Sequence, residues 1–374
     1  MKQERLQQQR LAELEGVRAL MAWWVVAGHV AWFASDRVGN LIHNDSAVLV
    51  FMALSGFVIS GLICDKHEAF GAFMIRRVFR LWPAYLIALA LSIATLSLQA
   101  SALAHAPFHP QFATFRLANI AASQAQFWPH LATHLAMAQG LVPDAVLPHG
   151  SVALLGQAWS LSVEVQFYLI APLLIWLISS GRAGVAAAAG VGVCLFLLGG
   201  HGPLRDNSAF IGRYVPWFAV GIASLYLWRA RGRRGHAMLV GGVCVAVAAY
   251  GALNREVAAL VWIGVLAALF WARPLGRLLA HPVLKRLGEA SYSTYLFHML
   301  PLYLGAYALN TMALEPWAYM AALTLITVAV TLVASLASYR YVEQPMMRLG
   351  ASLARQRLAD RQPADIAVET LTGP

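Results

Sequence analysis

Charge is scarce in this chain of 374 residues: Asp, Glu, Lys and Arg together make up 12%, against 60% hydrophobic residues. A soluble domain averages about 25% charged and 45–50% apolar residues, so the composition excludes one and points to an integral membrane protein. Acidic residues are the scarcer sign, 17 against 27 basic ones, for a formal charge of +10. No base-reading motif accompanies that charge, so nucleic acid is not an expected partner; the anionic face of a lipid bilayer is. Only three cysteines occur, Cys64, Cys194 and Cys244, all in apolar segments at unrelated spacings, which make neither a disulfide framework nor a zinc pattern. They read as small core residues, and no metal site is expected. The sequence also lacks an internal repeat, a low-complexity tract and a small-residue cleavage site after its first apolar run. One membrane domain over 1–348 is therefore expected, with its first helix retained as an anchor and a cytoplasmic tail over 349–374.

Apolar runs are what the chain has instead. Measured against a span of about 20 residues, they predict an all-α bundle of about ten transmembrane helices near 17–35, 46–64, 79–98, 159–179, 183–200, 209–228, 238–253, 257–272, 290–309 and 317–338. Basic residues set the orientation, because loops on the cytoplasmic side retain Lys and Arg. With both termini inside, 22 of the 27 fall on the inner side, and only Arg37, Arg116, Arg205, Arg213 and Arg255 lie outside. A crossing at 117–142 would move Arg229 to Arg234 and Lys285-Arg286 outside, so 101–150 reads as an outer loop carrying an interfacial helix.

The polar residues inside these runs are the candidates for chemistry, since an ionisable group in hydrocarbon costs at least about 2–3 kcal/mol and marks function by default. Arg18 and His29 share the first run. Eleven residues are about three turns, so both side chains leave one helix face about 16 Å apart. The second run carries Ser55-Gly56, which suits either close helix packing or a polar contact. Arg76, Arg77 and Arg80, followed by Tyr85, cluster near an expected helix start, a geometry for phosphate or simply a positive-inside anchor. Trp159, Ser160 and Glu164 open the fourth run; Glu164 is placed to meet His29 in the outer half of the bundle. Ser291, Tyr295 and His298 recur at helical spacing beside Tyr292, either as a site or as hydrogen-bonded glue between helices. In the outer loop stand His105, His109, His130, His134 and His149. His130 and His134 are spaced i, i+4 without a carboxylate or cysteine between them, so solvated or sugar-contacting side chains are expected rather than metal ligands.

Six short patterns occur in order: Glu15-Gly16-Val17-Arg18 with His29, Leu54-Ser55-Gly56-Phe57, Arg76-Arg77 with Arg80-Leu81, Pro83 and Tyr85, Trp159-Ser160-Leu161 with Glu164, Phe167-Tyr168 and Pro172, Ser291-Tyr292-Ser293 with Tyr295-Leu296 and His298, and Tyr339-Arg340-Tyr341 with Glu343 and Pro345. In these the chain, from about Leu14 to Arg348, resembles the membrane-bound acyltransferase 3 family, bacterial enzymes that O-acylate carbohydrates and related acceptors. Two positions depart from the family's usual pattern. Glu15-Gly16-Val17-Arg18-Ala19 stands where Asp-Gly-Leu-Arg-Gly is common, and Leu49 stands where an Asp is frequent, which removes a helix-two carboxylate from consideration.

The resemblance implies transfer of an acyl group, acetyl being expected, from acyl-coenzyme A to a hydroxyl of an extracytoplasmic or lipid-linked carbohydrate in the bacterial inner membrane. It assigns the coenzyme phosphates to Arg76, Arg77 and Arg80 with Tyr85 nearby, and the chemistry to Arg18, His29 and Glu164. His29 would be the general base or a transient acyl carrier. Ser55, Trp159, Ser160, Tyr292 and His298 would meet the substrate. No tightly bound cofactor is expected, and a separate extracytoplasmic partner protein could serve a chain without a trailing hydrolase-like domain. The competing class is a proton-coupled transporter in which Arg18, His29 and Glu164 form a relay.

Overall fold

In hydrocarbon every backbone N–H and C=O must find its partner within the segment, so apolar runs of this length fold as helices. The computed structural model describes residues 2–66, 68–108, 110–231, 235–254 and 256–359, with backbone alone for 2–11, 237, 358 and 359. His109, Arg233, Arg234, Arg255 and 360–374, and with them part of the expected basic bias and most of the tail, lie outside the described residues. Eighteen α-helices follow one another, with no strand among the described residues. They are α1 Lys2–Ala34, α2 Asp36–Ile42, α3 Asp45–Lys66, α4 Phe70–Ala94, α5 Leu96–Ala104, α6 Gln111–Ala125, α7 Phe127–Leu135, α8 Trp159–Ser179 and α9 Arg182–His201. The second half holds α10 Val215–Arg229, α11 His236–Asn254, α12 Val257–Phe270, α13 Arg273–Leu279, α14 Pro282–Glu289, α15 Ser291–Phe297, α16 Met299–Leu309, α17 Pro316–Ser338 and α18 Gln344–Ala359. The fold is an all-α, polytopic membrane bundle.

All ten expected runs are helical, but they are not ten uninterrupted spans. Among the described residues six helices are long and apolar enough to cross a membrane, or seven if α12 and α13, bent by 105°, count as one broken span. The run at 209–228 becomes a short 3₁₀ turn, Ile211–Tyr214, followed by 15-residue α10, which at 1.5 Å per residue reaches about 22 Å of a core about 30 Å thick. The run at 290–309 divides at His298 into α15 and α16. Its cause is Pro301, which has no N–H for the carbonyl of Phe297 four residues back and loosens that turn. The run at 79–98 starts earlier than expected: α4 begins at Phe70, so Arg76, Arg77 and Arg80 sit two to three turns inside a helix rather than at its start. After α17 a five-residue π-helical turn, Tyr339–Glu343, leads into α18, which lies along α4 and buries Ala354.

The centre of the bundle is built by α1, α3, α4, α8 and α15, while α9 is peripheral, exposing Val185, Val193, Phe196, Leu197 and Leu198 as a lipid-facing helix does. One end, the basic end, carries Arg18 and Arg80. The other is covered by α5 to α7 and the segment up to Ala158. Helix α3 packs along α10 through two reciprocal small residues. A Cβ on Gly56 would lie 2.4 Å from the carbonyl oxygen of Phe218, and one on Gly221 would lie 2.0 Å from that of Ala53. The backbones meet so closely that only glycine fits. This contact holds Ser55, one residue from Gly56, in register with α8. Gly221→Leu should therefore lower the stability of the detergent-solubilised protein by about 1–3 kcal/mol, read as a fall in Tm, whereas Gly264→Ala, which meets open space, should not.

Candidate functional site

Five helices bring most of the polar candidates to one narrow cavity of about 70 Å³, lined by Arg18 of α1, Ser55 of α3, Arg80 of α4, Ser160 and Glu164 of α8, and Tyr292 and Tyr295 of α15. It has room for a few water molecules. At its basic end Arg18 Nη1 donates to Glu15 Oε1 at 2.7 Å, one turn back on the same helix. Arg80 stands in the field of Glu15, Glu164 and Glu343 without forming an ion pair to any of them. Glu164 accepts from Ser55 Oγ at 3.3 Å and from the hydroxyl of Tyr168 one turn along α8. Tyr292 donates to the carbonyl of Leu81 at 2.7 Å, tying α15 to α4.

The other end of the cavity is closed by Tyr295. Its hydroxyl donates to the carbonyl of Gln157 at 2.6 Å and accepts from Ser160 Oγ at 2.7 Å, while its ring centroid lies 6.1 Å from that of His298. Beyond it sits a pair of imidazoles, with His298 Nε2 and His29 Nδ1 3.1 Å apart. The pair sits at the break between α15 and α16, where the carbonyls of Tyr295 and Leu296 accept from His298 Nδ1 at 2.8 Å and Gln157 Nε2 at 2.6 Å.

The tautomers follow from the partners. His29 Nδ1 lies 3.0 Å from the carbonyl oxygen of Val25, and His298 Nδ1 faces the carbonyl of Tyr295. A carbonyl oxygen can only accept, so each Nδ1 carries the hydrogen. His298 Nε2 then holds a lone pair and shares the His29 Nδ1–H with Val25. In the neutral ring this leaves a lone pair on His29 Nε2, to which no hydrogen bond forms among the described residues. His298 is fully buried and His29 half-buried.

Several sequence expectations are placed differently. Arg76 is held by Glu68, Nε to Oε2 at 2.8 Å, and Arg77 is wedged against the rings of Phe73 and Tyr168, 5.7 and 5.8 Å from their centroids; neither lines the cavity. Tyr85 is fully buried and points away from the basic end, donating to the carbonyl of His134 at 2.9 Å and meeting His134 Nδ1 at 3.1 Å. Trp159 lies against Tyr214, ring centroids 5.4 Å apart. Glu164 and His29 do not meet: their partners are Ser55 with Tyr168, and Val25 with His298. The continuous relay through Arg18, His29 and Glu164 is thus not the arrangement found. His130 and His134 are fully buried rather than solvated, because α7 folds down onto α4 through Trp82 and Tyr85. Burial depresses the basicity of both, and that of His134 to about 3. No three His, Cys, Asp or Glu side chains among the described residues converge as metal ligands.

Three buried charges among the described residues, Glu13, Arg116 and Glu343, have no role legible in the sequence. Glu343, 2% exposed, accepts from Ser293 Oγ inside the π-helical turn; its pattern with Tyr339 and Pro345 was visible, but nothing local tied it to α15. Arg116 of α6 counts in the sequence only as one of five outer basic residues, and its spacing gives no signal.

Comparison with known proteins adds the chemistry. A family profile described as an acyltransferase domain matches residues 11–336. The acyltransferase MdmB of Streptomyces mycarofaciens is 28% identical over 93% of this chain and 94% of its own. Nodulation protein 10 of Rhizobium leguminosarum bv. viciae is 24% identical over 86% and 87%. No solved structure matches. With that profile spanning the bundle and the Arg18, Ser55, Arg80, Glu164 and His29 patterns drawn together inside it, the chain belongs to the acyltransferase 3 family and is a multi-pass membrane O-acyltransferase.

Proposed function

We propose that the enzyme moves an acyl group, acetyl in the first instance, from acyl-coenzyme A to a hydroxyl of an extracytoplasmic or lipid-linked carbohydrate, across a bacterial cytoplasmic membrane with the basic end inside. The observation that carries the reading is the free Nε2 of His29, left with its lone pair by the bonds that Nδ1 makes to Val25 and His298. A neutral imidazole with an unshared lone pair is suited to take a proton from an alcohol. In the reaction His29 Nε2 accepts the hydroxyl proton as the alcohol oxygen attacks the thioester carbonyl. The C–O ester bond forms, the C–S bond breaks, and the proton passes to the departing thiolate. His298 Nε2 supports the transient imidazolium by accepting its Nδ1–H, so His298 becomes a positioning residue rather than a substrate contact. A covalent acyl-imidazole on the same Nε2 is the variant.

The donor is a substrate, and no resident cofactor enters this route. Its phosphates suit Arg80 and Arg18, the cations that face the cavity, better than Arg76 and Arg77, which are engaged elsewhere. The acyl arm would run up the cavity past Ser55, Ser160 and Glu164 to Tyr295, whose side chain has to swing aside for the thioester to reach His29. The acceptor would arrive from the opposite end, beneath α5 to α7, alone or handed over by an extracytoplasmic partner protein.

In membranes supplied with labelled acetyl-coenzyme A and cell-envelope glycan, His29→Ala should lower transfer by at least about 10²-fold; retained activity would remove His29 from the chemistry. His298→Leu should lower kcat by roughly 10-fold or more through a wrongly oriented or tautomerised ring, with little change in KM, and His298→Gln, whose amide oxygen can again accept from Nδ1, should recover part of the loss. Equal rates in His298→Leu and wild type would contradict the positioning role. For the donor, Arg80→Gln should raise the KM for acetyl-coenzyme A by roughly 10-fold, the loss of one charge-assisted hydrogen bond. Arg76→Gln should leave it unchanged; the reverse order would return the donor site to the Arg76 face.

A further inference from the structure

Arg116 is a cation without a countercharge. It is 7% exposed, and its guanidinium is held by neutral groups only: Nε donates to the hydroxyl of Tyr303 and Nη1 to the carbonyl of Val152, both at 3.1 Å. Among the described residues no carboxylate forms an ion pair with it. A buried guanidinium in that state is costly unless an anion completes it. Its position is nonetheless built in. A Cβ on Gly156 would stand 2.4 Å from Nη1, so the glycine at this point leaves the space the guanidinium fills. Beside it lies a cavity of about 10 Å³ reached by Ser92, Gln99 and Gln157, the room of about one water, which an oxygen of an anionic group could occupy.

The location relative to His29 sets what that anion would belong to. Asp36, just past the end of α1, accepts from the backbone N–H of Gln111 at 2.7 Å and of Phe112 at 3.2 Å, clamping the start of α6. Phe112 then faces His29, ring centroids 6.3 Å apart, and Arg116 follows one turn later on the same helix face. One turn of helix, about 5.4 Å, is comparable with the breadth of a pyranose ring. A sugar with a hydroxyl at His29 Nε2 could therefore carry a substituent to Arg116. The guanidinium also stands at the end of the bundle away from Arg18 and Arg80, on the acceptor side of Tyr295.

We infer that Arg116 is the subsite for an anionic group, carboxylate or phosphate, on the sugar acceptor, so that the enzyme acts on acidic glycans. This rests on the acyl-transfer reading with His29 as base. A bidentate or charge-assisted contact from arginine is suited to both anions.

The test is thermal unfolding of the full-length protein in detergent with glucuronate, glucose 6-phosphate or glucose at equal concentration, ionic strength being matched with chloride. A saturable rise in Tm is expected with one or both acidic sugars and not with glucose; which acid works separates carboxylate from phosphate. The rise should be lost in Arg116→Gln, reduced in Arg116→Lys, and kept in Arg80→Gln, which separates the subsite from the donor phosphates. It should also be kept in His29→Ala, so that loss of transfer and loss of the subsite are read independently. Equal Tm with all three sugars in the wild type, an outcome that needs no variant to fold, would reduce Arg116 to a crosslink between α6 and α16. An undiminished shift in Arg116→Gln would place the anion elsewhere.

Discussion

One shared proton organises the site: the Nδ1–H of His29, held between the carbonyl oxygen of Val25 and Nε2 of His298. It fixes a ring orientation and a tautomer together, and it does so with two partners from different helices. Val25 belongs to α1 itself, four residues back. His298 is presented at the interruption between α15 and α16, where the carbonyl of Tyr295 holds the second imidazole by its own Nδ1 and that of Leu296 holds Gln157 beside it. A proline three residues after a histidine marks the break in this span, and the two imidazoles face each other there.

The rest of the bundle divides around Tyr295. On the basic side, a polar cavity collects Arg18, Arg80, Ser55, Ser160 and Glu164. On the other, His29 and His298 lie under Phe112 and the helices that cover that end. Neither half is a complete reaction site alone. In the proposed reaction, with a thiol-bearing donor below and an alcohol above, the hydrogen-bonded Tyr295 between them would keep water in the cavity from the base until its ring moves. The close approach of α3 to α10 and the pinning of α15 to α4 through Tyr292 and Leu81 give the two halves a common frame.

Much of this was readable in the residues. The span-forming runs, the inward-facing polar groups and the six ordered patterns led to the family and to Arg18, Ser55, Arg80, Ser160, Glu164 and Tyr292 as separate candidates, because periodicity and intramembrane polarity are properties of a single helix; that they share one cavity was not readable. Long-range pairing was not readable. His298 is 269 residues from His29, and Tyr85 is bonded to His134 rather than aligned with Arg80, since five residues of helix turn and lift the ring toward the covered end. The apolar run understates the extent of α4, because the basic residues Arg76 and Arg77 interrupt it while the helix continues through them. His130 and His134 looked solvated because a polar loop sequence does not announce that its helix will fold back onto the bundle. Arg116, whose partners are a tyrosine hydroxyl and a backbone carbonyl far along the chain, left no local trace at all.

Proton transfer from the acceptor alcohol to His29 requires a non-protonated Nε2. Nitrogen-15 NMR of the protein labelled at histidine, in lipid bilayers near neutral pH, with the His29 signals assigned by their loss in His29→Asn, reads this directly. The expected spectrum has a protonated Nδ1 and a non-protonated Nε2 for His29, the Nδ1 coupled to the Nε2 of His298. A proton on Nε2 with a bare Nδ1 would contradict it.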